Sequence, residues 1–279
     1  MIKILAIGNS FSQDATAYLH DIAKAAGKDT KVVNLYIGGC SLETHWNNIV
    51  ADAALYDYEL NGQSTGSKIS IRQALQEEAW DYVTLQQVSG DSGILSTYDP
   101  YLGNISKYVR EYAPGSEQLL HQTWAYEIDS DHPDFAKYHK NQGEMYRAIT
   151  EAYHKLAKES SLRVIPSGKV IQELRALPAF DYPNGGISLC RDGFHMNCLY
   201  GRYALAATWF EFILQDSIIE NTFLPGNGEE VDRSKIKLIK ETIHGLRLFE
   251  LLFTPGQSLS YDFDKWRRRI MGIIWHRSK

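Results

Sequence analysis

The chain has 279 residues, 44% of them hydrophobic and 23% charged, with a formal net charge of −5. That is an ordinary globular composition, long enough for a substantial core in one large domain or in one domain with an appendage. The negative balance argues against nucleic acid or an anionic membrane as the main partner, and no apolar run is long enough to span a membrane. Cys40, Cys190 and Cys198 form an odd set without Cys-x-x-Cys spacing, so they indicate neither a zinc site nor a redox pair.

In chain order, the apolar run 3–7 ends in Gly8-Asn9-Ser10 and reads as a first strand, too short for a secretory signal. Compartment and oligomeric state stay open. A helix is expected over about 15–26, from Tyr18, Leu19, Ile22, Ala23 and Ala26 at helical spacing, closed by Gly27. A second strand at 31–37 stops at Gly38-Gly39. A helix at 69–79 then leads to a strand at 82–85. A helix at 101–112 is broken by Pro114-Gly115, and a fourth strand follows at 118–123. A long helix at 143–160, a short strand at 163–166 and a helix around 170–176 complete the alternation. This pattern predicts an α/β layer fold with a five-stranded parallel sheet.

The strongly apolar stretch 199–215 reads as a helix packed on both sides. After a break at Pro225-Gly226-Asn227-Gly228, residues 216–279 are expected to form a helical extension laid on the 1–215 domain, with an amphipathic helix over about 233–253. The tail carrying Trp266-Arg267-Arg268-Arg269 and Trp275 fits either a terminal helix or a partner contact.

Two segments carry chemistry. Ser10 follows strand one directly, at the carboxyl edge of a parallel sheet where ligands bind. A serine at this place fits a helix cap as well as a nucleophile. The second segment, Arg191-Asp192-Gly193-Phe194-His195, precedes the last apolar helix. A serine needs a base, and imidazole has a suitable pKa; the base in turn needs a carboxylate to hold its tautomer. Asp192, three positions before His195, can deliver both side chains to one side of a turn.

On these residues the chain resembles the SGNH (GDSL-like) hydrolases, whose nucleophile follows strand one in Gly-Asp-Ser and whose Asp-x-x-His closes the domain. Here the first motif is Gly8-Asn9-Ser10, with Asn9 in place of the usual Asp, and Asp192 and His195 match the last. The resemblance implies a three-layer α/β/α sandwich of flavodoxin-like type, and Ser10, Asp192 and His195 as a catalytic triad. It further implies an oxyanion hole from the N–H groups of Ser10 and Gly39, in Asn34 to Ser41, with Gly38 as the alternative register. The family's Gly-x-Asn-Asp block is absent; Leu85-Gln86-Gln87-Val88-Ser89 stands there. A glutamine can replace asparagine as an N–H donor, which points to Gln87, then Gln86, then Ser89. These motifs resemble a variant bacterial subgroup with Gly-Asn-Ser-Phe and Leu-Gln-Gln, and the acetylesterase side of the superfamily.

The expected reaction is therefore hydrolysis of short acyl esters, acetyl above all, on a small molecule or oligosaccharide, without cofactor or metal. The rivals are a lipase or phospholipase of the same fold and a non-catalytic carbohydrate-binding protein. Gln86, Trp124 and His45 are candidate substrate contacts; Trp124 and Trp46 fit either a sugar-stacking rim or the core, and His45 fits a capped helix start equally well. His121, His132 and His139 with Asp129 and Asp131 match no metal-ligand spacing.

Overall fold

In the computed structural model, which describes residues 1–226 and 230–252, the apolar run Ile2–Gly8 (β1) lies mid-sheet and is buried along most of its length. Burial from both faces is what a parallel strand between two helix layers requires. Thr30–Tyr36 (β2) pairs with β1 on one side, and Tyr82–Leu85 (β5) on the other, both in parallel. Glu117–His121 (β6) and Arg163–Ile165 (β7) extend the sheet in parallel beyond β5. Gly8 stands beside Tyr36, and Ile7 and Leu120 both stand beside Leu85. The loops leaving these strands therefore emerge together along one edge.

Among the described residues the expected five-stranded parallel sheet is corrected to seven strands, with two antiparallel pairings. Tyr56–Leu60 (β3) and Gln63–Ile69 (β4) form a hairpin that pairs through β3 with β2, giving the order β4-β3-β2-β1-β5-β6-β7. Asn61 and Gly62 form its two-residue turn with φ of 51° and 78°, the positive values that Asn-Gly supplies most readily. The outer strand β4 is exposed and polar, which suits a sheet edge.

The expected helix at 15–26 is two helices, Ser10–Thr16 (α1) and Leu19–Ala25 (α2). The start moves back to Ser10 because Asn9 caps it: the Asn9 side chain accepts from the Phe11 N–H, and Ser12 reaches back to the Asn9 N–H. Leu42–Val50 (α3) and Ile71–Glu77 (α4) are capped by Ser41 and Ser70. Tyr101–Tyr112 (α5), Gln142–Ser160 (α6), Ser167–Arg175 (α7), Tyr200–Ile213 (α8) and Arg233–Leu252 (α9) follow.

One helix layer holds α1, α2 and α8; α3, α4 and α5 pack together in the other. Nearly every residue of α8 is buried, because α1 and α2 cover one side and α9 another. The α9 stripe Ile236, Ile239, Ile243 and Leu246 is buried at the spacing of one helix face. Burying such side chains contributes roughly 1.5–3 kcal/mol each. The tail with Trp266-Arg267-Arg268-Arg269 and Trp275 lies outside the described residues.

Candidate active site

Ser10 is the first residue of α1, half-buried at the end of β1. Its Oγ lies 2.8 Å from His195 Nε2, and His195 Nδ1 lies 2.7 Å from Asp192 Oδ2. The carboxylate can only accept, so the geometry sets Nδ1–H as donor and leaves Nε2 to accept from the Ser10 hydroxyl. Asp192 Oδ1 accepts from the N–H groups of His195 at 2.8 Å and Phe194 at 3.3 Å, a local turn that aims both side chains the same way. Gly193 sits inside it with φ of 83°, a left-handed conformation costly for other residues. Partial burial works to raise the Asp192 carboxyl, but hydrogen bonds from the His195 ring and backbone outweigh it and hold the group below its ordinary value.

The turn is held from outside as well. The Glu127 N–H donates to Gly193 O, and Trp124 Nε1–H donates to Phe194 O, both at 2.7 Å. Asp14, one turn beyond Ser10 on α1, has a fully buried carboxylate that accepts from the Met196 N–H at 2.8 Å, from Arg202 Nε at 2.8 Å and from Arg191 Nη1 at 3.0 Å. It thus ties the helix bearing Ser10 to the segment bearing His195. Sequence reasoning missed Asp14. The available signal was an acidic residue four positions after Ser10, with an arginine beside Asp192.

The expected oxyanion and substrate residues fare unevenly. Gly39 is exposed with φ of 65°, and among the described residues no acceptor takes its N–H, nor those of Gly38 and Ser10. Gln87 is corrected: its Oε1 accepts from the Leu42 and Val88 N–H groups, and its Nε2 donates to Thr97, so its amide braces two loops. Ser89 Oγ is joined to Tyr126 Oη at 2.8 Å.

Gln86, expected at the substrate, is buried and donates to Asn9 Oδ1 at 2.7 Å. Trp124 is likewise fully buried, stacked on Phe11 with ring centroids 3.9 Å apart, and its Nε1–H donates to the Phe194 carbonyl. His45 is buried too, its Nδ1 2.9 Å from Tyr56 Oη; burial drives its pKa down to about 3. All three side chains are buried against the protein's own groups. Trp46 is half-buried and packs against the core.

Among the described residues no three His, Cys, Asp or Glu side chains converge as a metal site. His132 Nδ1 accepts from the Asp134 N–H, His139 pairs with Glu144, and Asp129 accepts from Tyr182.

A central sheet between helix layers, with Ser10 at the end of its first strand, is the SGNH hydrolase fold. The chain belongs to the DUF4886 family, a domain of unknown function, which matches residues 3–245. A DUF4886 protein from Bacteroides uniformis is 38% identical, with a TM-score of 0.82 over 89% of this chain and 95% of that one. A proposed SGNH hydrolase from Slackia heliotrinireducens is 20% identical, with a TM-score of 0.51 over 76% of this chain and 98% of that one. The acetyl xylan esterase AlAXEase is 14% identical, with a TM-score of 0.52 over 76% of this chain and all (100%) of that one. No curated protein matches the chain.

Proposed function

We propose that the protein is a serine ester hydrolase of short acyl esters, acetyl groups on a carbohydrate first among them. Residues 1–215 would form the catalytic domain and 216–279 an extension upon it. The observation that carries this reading is the continuous hydrogen-bonded line Ser10 Oγ, His195 Nε2, His195 Nδ1 and Asp192 Oδ2. Ser10 attacks the ester carbonyl while His195 takes its proton; His195 then protonates the departing alcohol, and water cleaves the acyl-enzyme by the same steps reversed. Asp192 holds the tautomer and stabilises the imidazolium. The free N–H groups of Ser10 and Gly39 are the oxyanion donors of this reading.

The acetyl and carbohydrate part rests on the Leu85-Gln86-Gln87 resemblance to the acetylesterases, the fold shared with an acetyl xylan esterase, and the absence of an evident amphipathic lid between the motifs. A long acyl chain needs a place to bury its methylenes, at about 0.8 kcal/mol each.

The test is a p-nitrophenyl ester series from acetate to decanoate, beside acetate release from acetylated sugars. kcat/KM is expected to fall steeply beyond butyrate. Ser10→Ala should lose on the order of 10⁴-fold or more of turnover, and a fluorophosphonate should label Ser10 alone. Wild-type turnover in Ser10→Ala, or labelling at Ser12, defeats the mechanism; a maximum at octanoate without acetate release defeats the substrate class.

A further inference from the structure

Beneath Ser10 runs a line of buried polar side chains that the proposed reaction does not use directly. Ser167 Oγ lies 3.1 Å from His121 Nε2, and His121 Nδ1 lies 2.6 Å from Gln86 Oε1. Gln86 Nε2 lies 2.7 Å from Asn9 Oδ1, and Asn9 Nδ2 lies 3.0 Å from the carbonyl of Cys40. All five residues are nearly or fully buried, and Ser167 and His121 show no exposure at all.

Two backbone groups set the direction of every link. Asn9 Oδ1 also accepts from the Phe11 N–H at 3.0 Å, so the oxygen of that amide must face Phe11 and Gln86. Its nitrogen must then face the Cys40 carbonyl, which can only accept. Gln86 therefore turns its nitrogen to Asn9 and its oxygen to His121. His121 is left to donate from Nδ1 and to accept from the Ser167 hydroxyl at Nε2. Burial drives the His121 pKa down to about 3, so this neutral tautomer persists across the physiological range. All links run one way, from Ser167 to Cys40.

Cys40 follows Gly39, and Asn9 precedes Ser10. We propose that Asn9, oriented by Gln86 and His121, is a positioning residue that locks the Gly39 loop to the nucleophile turn, so that the Ser10 and Gly39 N–H groups keep one geometry. The inference rests on the proposed ester hydrolysis. It explains the departure from Gly-Asp-Ser: a carboxylate can accept from Phe11 and Gln86, but it cannot donate to the Cys40 carbonyl and would set two acceptors against each other. Restoring the residue usual in the superfamily should impair this protein.

The experiment compares purified full-length wild type with Asn9→Asp, His121→Leu and His121→Asn. It reads kcat and KM for p-nitrophenyl acetate, the melting temperature, and amide hydrogen exchange over residues 37–41. A misplaced oxyanion donor should lower kcat of Asn9→Asp on the order of 10- to 100-fold, with KM within about twofold and faster exchange in the loop. His121→Leu should behave likewise, while His121→Asn, which keeps a donor where Nδ1 stood, should recover most of the loss. If Asn9→Asp does not fold, the two His121 variants carry the comparison. Folded variants with wild-type kcat and wild-type loop exchange overturn the proposal, as does a loss in His121→Leu that His121→Asn leaves unrepaired. Wild type that hydrolyses no ester defeats the reaction itself, and the loop-exchange comparison still decides the coupling.

Discussion

Replacing Asp14 tests how the two halves of the site are held together. Its carboxylate is the common acceptor for Arg191, Arg202 and the Met196 N–H. Asp14→Ala leaves two guanidinium groups without their counter-charge and one buried N–H without a partner. Breaking a buried charge pair from one side costs about 3–5 kcal/mol. The arginine side chains keep 32% and 24% of their exposure and can partly rehydrate, so the lower end, about 3 kcal/mol, is expected. For a chain of this size that is a drop in Tm of roughly 6–12 °C.

The same change frees the segment next to His195, and a shift of about 1 Å there costs on the order of 100-fold in kcat. Urea unfolding followed by tryptophan fluorescence reads the stability. Turnover of p-nitrophenyl acetate, measured well below the unfolding midpoint, reads the geometry. Asp14→Asn should be intermediate in both, since it keeps an acceptor for Met196 but loses the charge. A folded Asp14→Ala with wild-type kcat would refute the argument that this carboxylate aligns Ser10 with His195, whatever its stability.

Gln87→Ala should cost about 1–3 kcal/mol of stability, because the Leu42 and Val88 N–H groups lose their acceptor, with little change in kcat of the folded protein. A 10²- to 10³-fold loss of kcat at unchanged stability would instead return Gln87 to the oxyanion hole. The buried histidines predict acid sensitivity. His45 and His121 stay neutral in the folded state down to about pH 3, whereas the unfolded chain binds protons near pH ~6.5. The unfolded state binds more protons between those values, so stability present at neutral pH is lost as the pH falls through that window, by up to ~5 kcal/mol per histidine. Melting curves across the window should show His121→Asn losing less on acidification than wild type; parallel curves would contradict the assignment.

What the sequence by itself determined is local. The β1 run leading to Ser10 and the pair Asp192 and His195 were legible because their geometry depends on neighbours a few positions away, as in the turn closed by Asp192 onto its own backbone, whereas the cap at Asn9 was not read. The β3–β4 hairpin was written as plainly, in Asn61-Gly62 between strand-like stretches, and the missing two strands reflect that unread turn. Only the tertiary structure decided what the side chains at the strand ends do. Gln86 and Gln87 are adjacent in sequence, yet one reaches Asn9 and the other Leu42 and Thr97. Trp124 turns inward onto Phe11, and Asp14 meets partners 177 to 188 positions away. A polar group at a strand end bonds to whatever donor or acceptor the packed loops bring within about 3 Å, and those loops come together only when the sheet has formed.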